Sequence, residues 1–143
     1  MKSIICWGII ILMVFIATPV YAADLIENPG EPGVITPKFT YISWLSSGLS
    51  INSWGKATCL GSASAYDSSH TTNLTVKLQK SNAGGWSTTK SWSASSTGTS
   101  LAKVEENYYV AHGTYRVCAT AKVYNSSGTL LESKSVYSNT VTY

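Results

Sequence analysis

The stretch GTYRVCATAKVYNSSG, residues 113–128, decides the fold class of this chain of 143 residues. Every second residue from Tyr115 to Val123 is apolar, and the residues between them are mostly polar. A period of two indicates a β-strand with one buried face and one wet face. Asn, Ser and Gly then follow at 125–128, a composition typical of a hairpin turn. Cys118 falls among the polar residues, so its side chain is predicted to point away from the core.

The same alternation recurs on both sides of this stretch. No segment of a dozen residues shows the spacing of an amphipathic helix, and no proline follows Pro37. Seven short segments end in clusters of Gly, Asn and Ser, which predicts an all-β chain folded as an antiparallel β-sandwich of about seven strands. The predicted strands are residues 39–51, 56–66, 73–80, 86–93, 101–110, 114–124 and 130–143.

The N-terminus has the three-part plan of a secretory signal peptide. Lys2 precedes an apolar run over residues 4–17, and Pro19 then breaks any helix. Small residues before the junction of Ala22 and Ala23 suit a signal peptidase, which predicts cleavage there. The alternative is an uncleaved membrane anchor, but the apolar run is shorter than the roughly 20 residues that span a bilayer.

Three regions follow from these features: a signal peptide at 1–22, a flexible leader rich in Pro and Gly at 23–38, and a β-sandwich domain at 39–143. The protein is therefore expected to be secreted, outside the cell and free of the membrane after cleavage. The formal net charge of +3 is too small and too scattered to predict a nucleic-acid partner.

Three longer stretches carry a resemblance to a known family: YISWLSSGLSINSWGKATCLGSASAY at 41–66, LTVKLQKSNAGGWSTTKSWSAS at 74–95 and YYVAHGTYRVCATAKVY at 108–124. They resemble a family of small secreted all-β proteins of Gram-positive bacteria, a domain of unknown function. In that family a Gly-Lys-Ala-Thr strand, a V-x-L-Q-K…W hairpin and a Y-R-V strand recur in this order. The resemblance implies export and an all-β domain, and it assigns no catalytic or binding residue.

A more distant resemblance is carried by residues 113–128 alone. They are similar to the sixth strand and following hairpin of a fibronectin type III or Ig-like domain, where a Tyr opens the strand and Asn and Gly turn the corner. This resemblance implies an Ig/fibronectin III-like arrangement of the sandwich.

Two cysteines, Cys59 and Cys118, follow the predicted cleavage site. An even number in an exported chain favours a disulfide, which would close a loop of roughly 60 residues and stabilise the fold by about 4 kcal/mol. However, Cys59 lies on the inner row of its strand and Cys118 on an outer row. A register-shifting bulge, neighbouring strands or two free thiols would each reconcile these observations, and the alternatives stay open. In the resembling family a long polar residue usually stands at position 118, so no pairing is implied.

Two tryptophans of one predicted strand, Trp86 and Trp92, are six residues apart and are expected to share a face with Lys90 between them. On the outer face they would form a binding strip for sugar rings or for a partner's apolar surface. On the inner face they would belong to the core. A lysine buried between them would be costly, which favours the outer face.

Candidate catalytic groups do not assemble in the sequence. Glu105 and Glu106 are adjacent on a strand and point to opposite faces, so they cannot act as a carboxylate pair. Asp67 and His70 lack the further ligands that a metal needs, and no serine lies in a nucleophile-elbow pattern. No catalytic residue, metal site or cofactor is predicted, and the protein is expected not to be an enzyme.

The sequence thus predicts an exported, non-enzymatic β-sandwich protein, a cell-surface module that interacts with a glycan or with a protein surface. The alternative is a secreted effector, either a small toxin or a minor hydrolase. A third option is a structural protein whose sheet edges pair with copies of itself.

Overall fold

The computed structural model describes residues 38–143, which form eight β-strands. The strands are β1 (Ile42–Ile51), β2 (Lys56–Ala65), β3 (Thr71–Asn82), β4 (Gly85–Thr97), β5 (Ala102–Tyr109), β6 (Thr114–Tyr124), β7 (Leu130–Tyr137) and β8 (Val141–Thr142). The predicted signal peptide, its cleavage site at Ala22 and Ala23, and all of the leader except residue 38 lie outside the described residues. Among residues 38–143, no helix is long and apolar enough to cross a membrane.

The strands form two antiparallel sheets that pack face to face as a sandwich. One sheet has the order β1-β2-β5, and the other has the order β4-β3-β6-β7 with β8 also paired to β6. The chain crosses between the sheets after β2, β4 and β5, which gives the Ig/fibronectin III-like arrangement. The predicted fold class is therefore confirmed.

The predicted last strand, residues 130–143, is interrupted rather than continuous. At the break, Ser138 binds β6 through its side chain, because its Oγ accepts a hydrogen bond from the Val117 N–H at 2.8 Å. The Ser138 N–H in turn donates to the Val117 carbonyl oxygen at 2.9 Å. The ladder to β6 then resumes in β8, where Val141 lies opposite Tyr115.

The core lies between the sheets and combines small residues on one side with branched residues on the other. Ala57, Cys59 and Ala63 project inward from β2, whereas Leu74, Val76 and Leu78 project inward from β3. Alternate residues of β6 complete this layer: Tyr115, Val117, Ala119, Ala121 and Val123. The alternation predicted from the opening stretch is therefore found in β6, with these five residues buried. Small side chains on β2 let the two sheets approach closely.

Tyr115 fixes the chain where it enters β6. Its side chain is buried, and its hydroxyl donates a hydrogen bond to the carbonyl oxygen of Ala111 at 2.8 Å. A tyrosine at this position that bonds to the backbone a few residues upstream is a tyrosine corner of Ig-like sandwiches. The adjoining loop is held to the end of the chain by Gly113 and Tyr143, which exchange two backbone hydrogen bonds of 2.9 Å.

Glu132 on β7 ties the two sheets together along one edge of the sandwich. Its carboxylate accepts hydrogen bonds from the backbone N–H groups of Thr40, Tyr41 and Ile42, the closest at 2.7 Å. These groups precede and begin β1, which belongs to the other sheet. Desolvation raises the pKa of Glu132, but the three N–H donors together outweigh it and lower the pKa below its usual value.

Acid is therefore expected to destabilise the domain through Glu132. A carboxyl whose pKa is lowered by folding stabilises the folded state above its unfolded pKa of about 4.3, and this contribution is lost as the pH falls through the folded pKa. We expect Glu132→Gln to lower the free energy of unfolding by about 1 kcal/mol at neutral pH, an amount kept small because the carboxylate is largely solvated. Urea titrations from pH 7 down to pH 3 should show less loss of stability on acidification in the variant than in the wild type. Parallel pH profiles would contradict this role.

Candidate functional site

A bulge in β4 separates the two tryptophans that the sequence places on one face. Leu78 lies opposite Lys90 and Gln79 lies opposite Thr88, so Thr89 is an extra residue in the β4 strand. An extra residue reverses the inward and outward alternation that follows it. The prediction that Trp86 and Trp92 share a face is therefore wrong.

Trp92 belongs to the core side of the sandwich. It lies opposite the buried Val76 and packs against the core, with its ring edge-to-face with Tyr108 of the other sheet at a centroid distance of 6.4 Å. Lys90 is on the same side of β4 as Trp92 but is exposed at the sheet edge. Because its ammonium group stays in water at that edge, Lys90 can lie on the same side as Trp92 without the cost of burying a charge.

Trp86 lies on the outer face of the five-stranded sheet, where it forms a stack with Arg116 and Tyr137. The guanidinium carbon of Arg116 is 4.3 Å from the centroid of the Trp86 ring and 4.2 Å from that of Tyr137. Its Nε donates a hydrogen bond of 2.9 Å to Oε1 of Gln79. Two cation–π contacts and a hydrogen bond thus hold the Arg116 guanidinium in place. We call the outer face of the five-stranded sheet, which carries Trp86, Arg116 and Tyr137, the stack face.

Strand order brings the members of the stack together. Gln79 on β3 and Arg116 on β6 are direct cross-strand partners, while β4 and β7 flank these two strands. The Trp86 side chain therefore reaches Arg116 from one flank and Tyr137 reaches it from the other. Arg116 and Tyr137 were missed at the sequence level, although Arg116 stands on the outward row of the opening stretch.

Hydroxyl groups also lie on the stack face. Thr120 and Ser135 form a hydrogen bond of 2.7 Å between β6 and β7, and Thr75 and Ser93 approach to 3.5 Å between β3 and β4. A shallow depression lies beside the second pair, with Asn73 at its rim. The face can therefore offer aromatic rings, a fixed cation and rows of hydroxyl groups to one ligand.

The two cysteines lie on different sides of the five-stranded sheet and are both free. Cys59 is fully buried between the sheets, and burial raises the pKa of its thiol to about 11. Cys118 is on the stack face between Lys77 and Tyr137, where it is only 6% exposed. Of the three arrangements that the sequence left open, the structure therefore has the one with two free thiols. No disulfide forms because Cys59 faces the core and Cys118 faces outward.

The acids singled out in the sequence do not form a catalytic pair. Glu105 makes an exposed ion pair with Lys103 at 2.6 Å, and Glu106 projects from the other side of β5. Asp67 accepts two hydrogen bonds from Ser69, from its backbone N–H and from its hydroxyl, and these lower the pKa of Asp67. Among residues 38–143, no three His, Cys, Asp or Glu side chains cluster as metal ligands would.

An aromatic residue is also exposed on the outer face of the other sheet. Trp44 of β1 is 55% exposed on the outer face of the three-stranded sheet, and its indole N–H donates to the Ser62 hydroxyl at 2.9 Å. It is as accessible as Tyr137 but has no cation beside its ring among the described contacts. Trp44 therefore serves as a matched comparison for the stack face.

No protein-family model matches this chain, and no curated protein is similar to it.

Proposed function

We propose that this chain is an exported, non-enzymatic module that binds glycan through the stack face. The observation that carries the proposal is the Trp86–Arg116–Tyr137 stack, which stands on an outer sheet face. A sugar ring has apolar C–H patches on its faces and hydroxyl groups around its rim. Aromatic rings can stack on the C–H patches, and a polar surface can form hydrogen bonds with the hydroxyl groups.

The composition of the stack face supports a glycan more than a protein surface. Protein interfaces have a largely apolar centre, whereas here hydroxyl groups from Thr75, Ser93, Thr120 and Ser135 lie farther along the same face as the stack. These residues come from four adjacent strands, so a rigid sheet holds them in fixed positions. A preformed polar surface loses little conformational entropy when a chain of sugars lies on it.

Export supports a ligand outside the cell. The N-terminal sequence has the features of a cleaved secretory signal, and the resemblance to secreted Gram-positive proteins agrees with this. We therefore propose that the module acts at a cell surface or in the medium.

Binding should depend on the two rings of the stack. We expect Trp86→Ala combined with Tyr137→Ala to weaken binding to polysaccharide at least about thirtyfold, because central aromatic residues dominate such interfaces. The measurement is retention on a panel of insoluble and immobilised polysaccharides, followed by titration calorimetry with the best ligand. Thermal unfolding would verify that the variant is folded.

Trp44→Ala is the matched control, since it removes from the opposite sheet an aromatic side chain that is as exposed as Tyr137. It should bind as the wild type does. Equal losses in both variants, unchanged binding in the double variant, or no retention of the wild type on any polysaccharide would contradict the proposed function.

A further inference from the structure

We infer that the ligand of the stack face is an anionic polysaccharide, and that Arg116 binds one of its carboxylate or sulfate groups. This inference rests on the proposed function and names the chemistry of its ligand. Three features of the protein support it: the unused hydrogen-bond donors of Arg116, the distribution of charge on the sandwich and the spacing of the cations.

The Arg116 side chain is fixed in place, but most of its N–H hydrogen-bond donors have no acceptor in the described chain. A guanidinium has five N–H donors, and in the described chain only Nε makes a hydrogen bond, to Gln79. The only ion pair among residues 38–143 is that of Lys103 and Glu105, so no carboxylate neutralises Arg116. The terminal nitrogens are therefore available to an oxyanion, which a planar guanidinium can bind through two parallel hydrogen bonds.

The flanking rings prepare this group for binding. Stacking between Trp86 and Tyr137 restricts the long Arg116 side chain to one orientation. A free arginine loses that freedom only on binding, whereas here the folded protein has already ordered the side chain. The side chain is also half-buried, which strengthens its interaction with an anion.

Charge is segregated on the sandwich. Two exposed lysines, Lys77 and Lys122, share the stack face with Arg116, as the strand registers show. No acid of the described chain projects from this face. Asp67 lies in the β2–β3 loop, Glu105 is on the outer face of the other sheet, and Glu106 and Glu132 are on the core-facing sides of edge strands. An uncompensated row of cations is complementary to an anion.

The cations are spaced for a polymer rather than for a small ion. Arg116 and Lys122 are six residues apart on β6, which corresponds to about 20 Å along the strand. Lys77 lies between them on the neighbouring strand, directly opposite Cys118. A single oxyanion would reach one of these groups, whereas a linear chain lying along β6 would reach all three. The hydroxyl rows at Thr75 and Thr120 lie on the same path.

The test compares matched neutral and anionic polysaccharides. Polygalacturonate is paired with its fully methyl-esterified form, and dextran sulfate with dextran, so that carboxylate and sulfate are examined separately. We expect at least about tenfold tighter binding to one or both anionic forms, and most of this advantage should disappear between about 50 mM and about 500 mM NaCl because salt screens the charges.

Charge variants locate the effect on the protein. Arg116→Lys keeps the charge but removes the planar fork, and we expect about tenfold weaker binding to the anionic form. Lys77→Gln with Lys122→Gln should reduce the dependence on salt, and both side chains are exposed, so the fold should persist. Lys103→Gln, which removes a cation from the opposite sheet, should leave binding unchanged.

The outcomes separate the two proposals. Equal affinity for neutral and anionic forms, still lost on removal of Trp86 and Tyr137, would overturn the anionic ligand and leave glycan binding in place. Retention by phosphatidylglycerol vesicles without any binding to polysaccharide would overturn both. Anion-dependent binding that is insensitive to the Arg116, Lys77 and Lys122 variants would overturn the inferred site.

Discussion

Replacing Gly61 by valine is expected to lower the free energy of unfolding by at least about 3 kcal/mol, a large part of the stability of a domain of this size. Gly61 is buried in β2 and faces β3 across the core. A Cβ atom added there would overlap the Cγ2 methyl of Val76, which is fully buried and cannot move aside. The sheets would have to separate where Gly61 faces Val76.

The effect should be graded with side-chain size. Gly61→Ala adds one carbon and is expected to cost about 2 kcal/mol, or roughly 10 °C in the midpoint of thermal unfolding. Gly48→Ala is the matched control, because Gly48 is on the outer side of β1 and an added Cβ would make only ordinary contacts with Leu60. Similar midpoints for Gly61→Val and Gly48→Ala would show that the sheets do not approach as described.

Truncation of Tyr115 is expected to destabilise the domain by about 3–5 kcal/mol, since Tyr115→Ala removes the largest fully buried side chain and leaves a cavity. Tyr115→Phe divides this effect into its parts. It keeps the ring but removes the hydrogen bond to Ala111, and it should cost about 1 kcal/mol.

Denaturant titration would measure both Tyr115 variants against Tyr109→Ala, which removes a tyrosine that is 71% exposed at the end of β5. Tyr109→Ala should change the free energy of unfolding by less than about 0.5 kcal/mol. If Tyr115→Phe were as damaging as Tyr115→Ala, the hydroxyl rather than the packing of the ring would be the main contribution.

Local pattern was sufficient to predict the sandwich. Alternation within 114–124 correctly predicted the buried row of β6, and it placed Cys118 on the outer side. The same reasoning placed Cys59 inward, where it is fully buried. These predictions succeed because the side of a sheet that a residue faces is set by counting along a regular strand.

The candidate site could not be predicted in the same way. A single extra residue, Thr89, reverses the inward and outward alternation of side chains in β4, and no residue type in that stretch marks the bulge. The Arg116 stack depends on strands that are distant in sequence, since Trp86 and Tyr137 meet through the sheet order. The contact between Glu132 and the start of β1 joins residues about 90 positions apart and leaves no periodic signal.

The directions of the first and last strands affect how the domain bears tension. β1 and β7 run the same way, since each begins at the end of the sandwich where Glu132 meets Thr40 and Tyr41. The chain therefore enters at one end and leaves at the other, at Tyr143. A pull on both ends would load the β1–β2 and β6–β7 hydrogen bonds in shear, many at once, rather than opening them one after another.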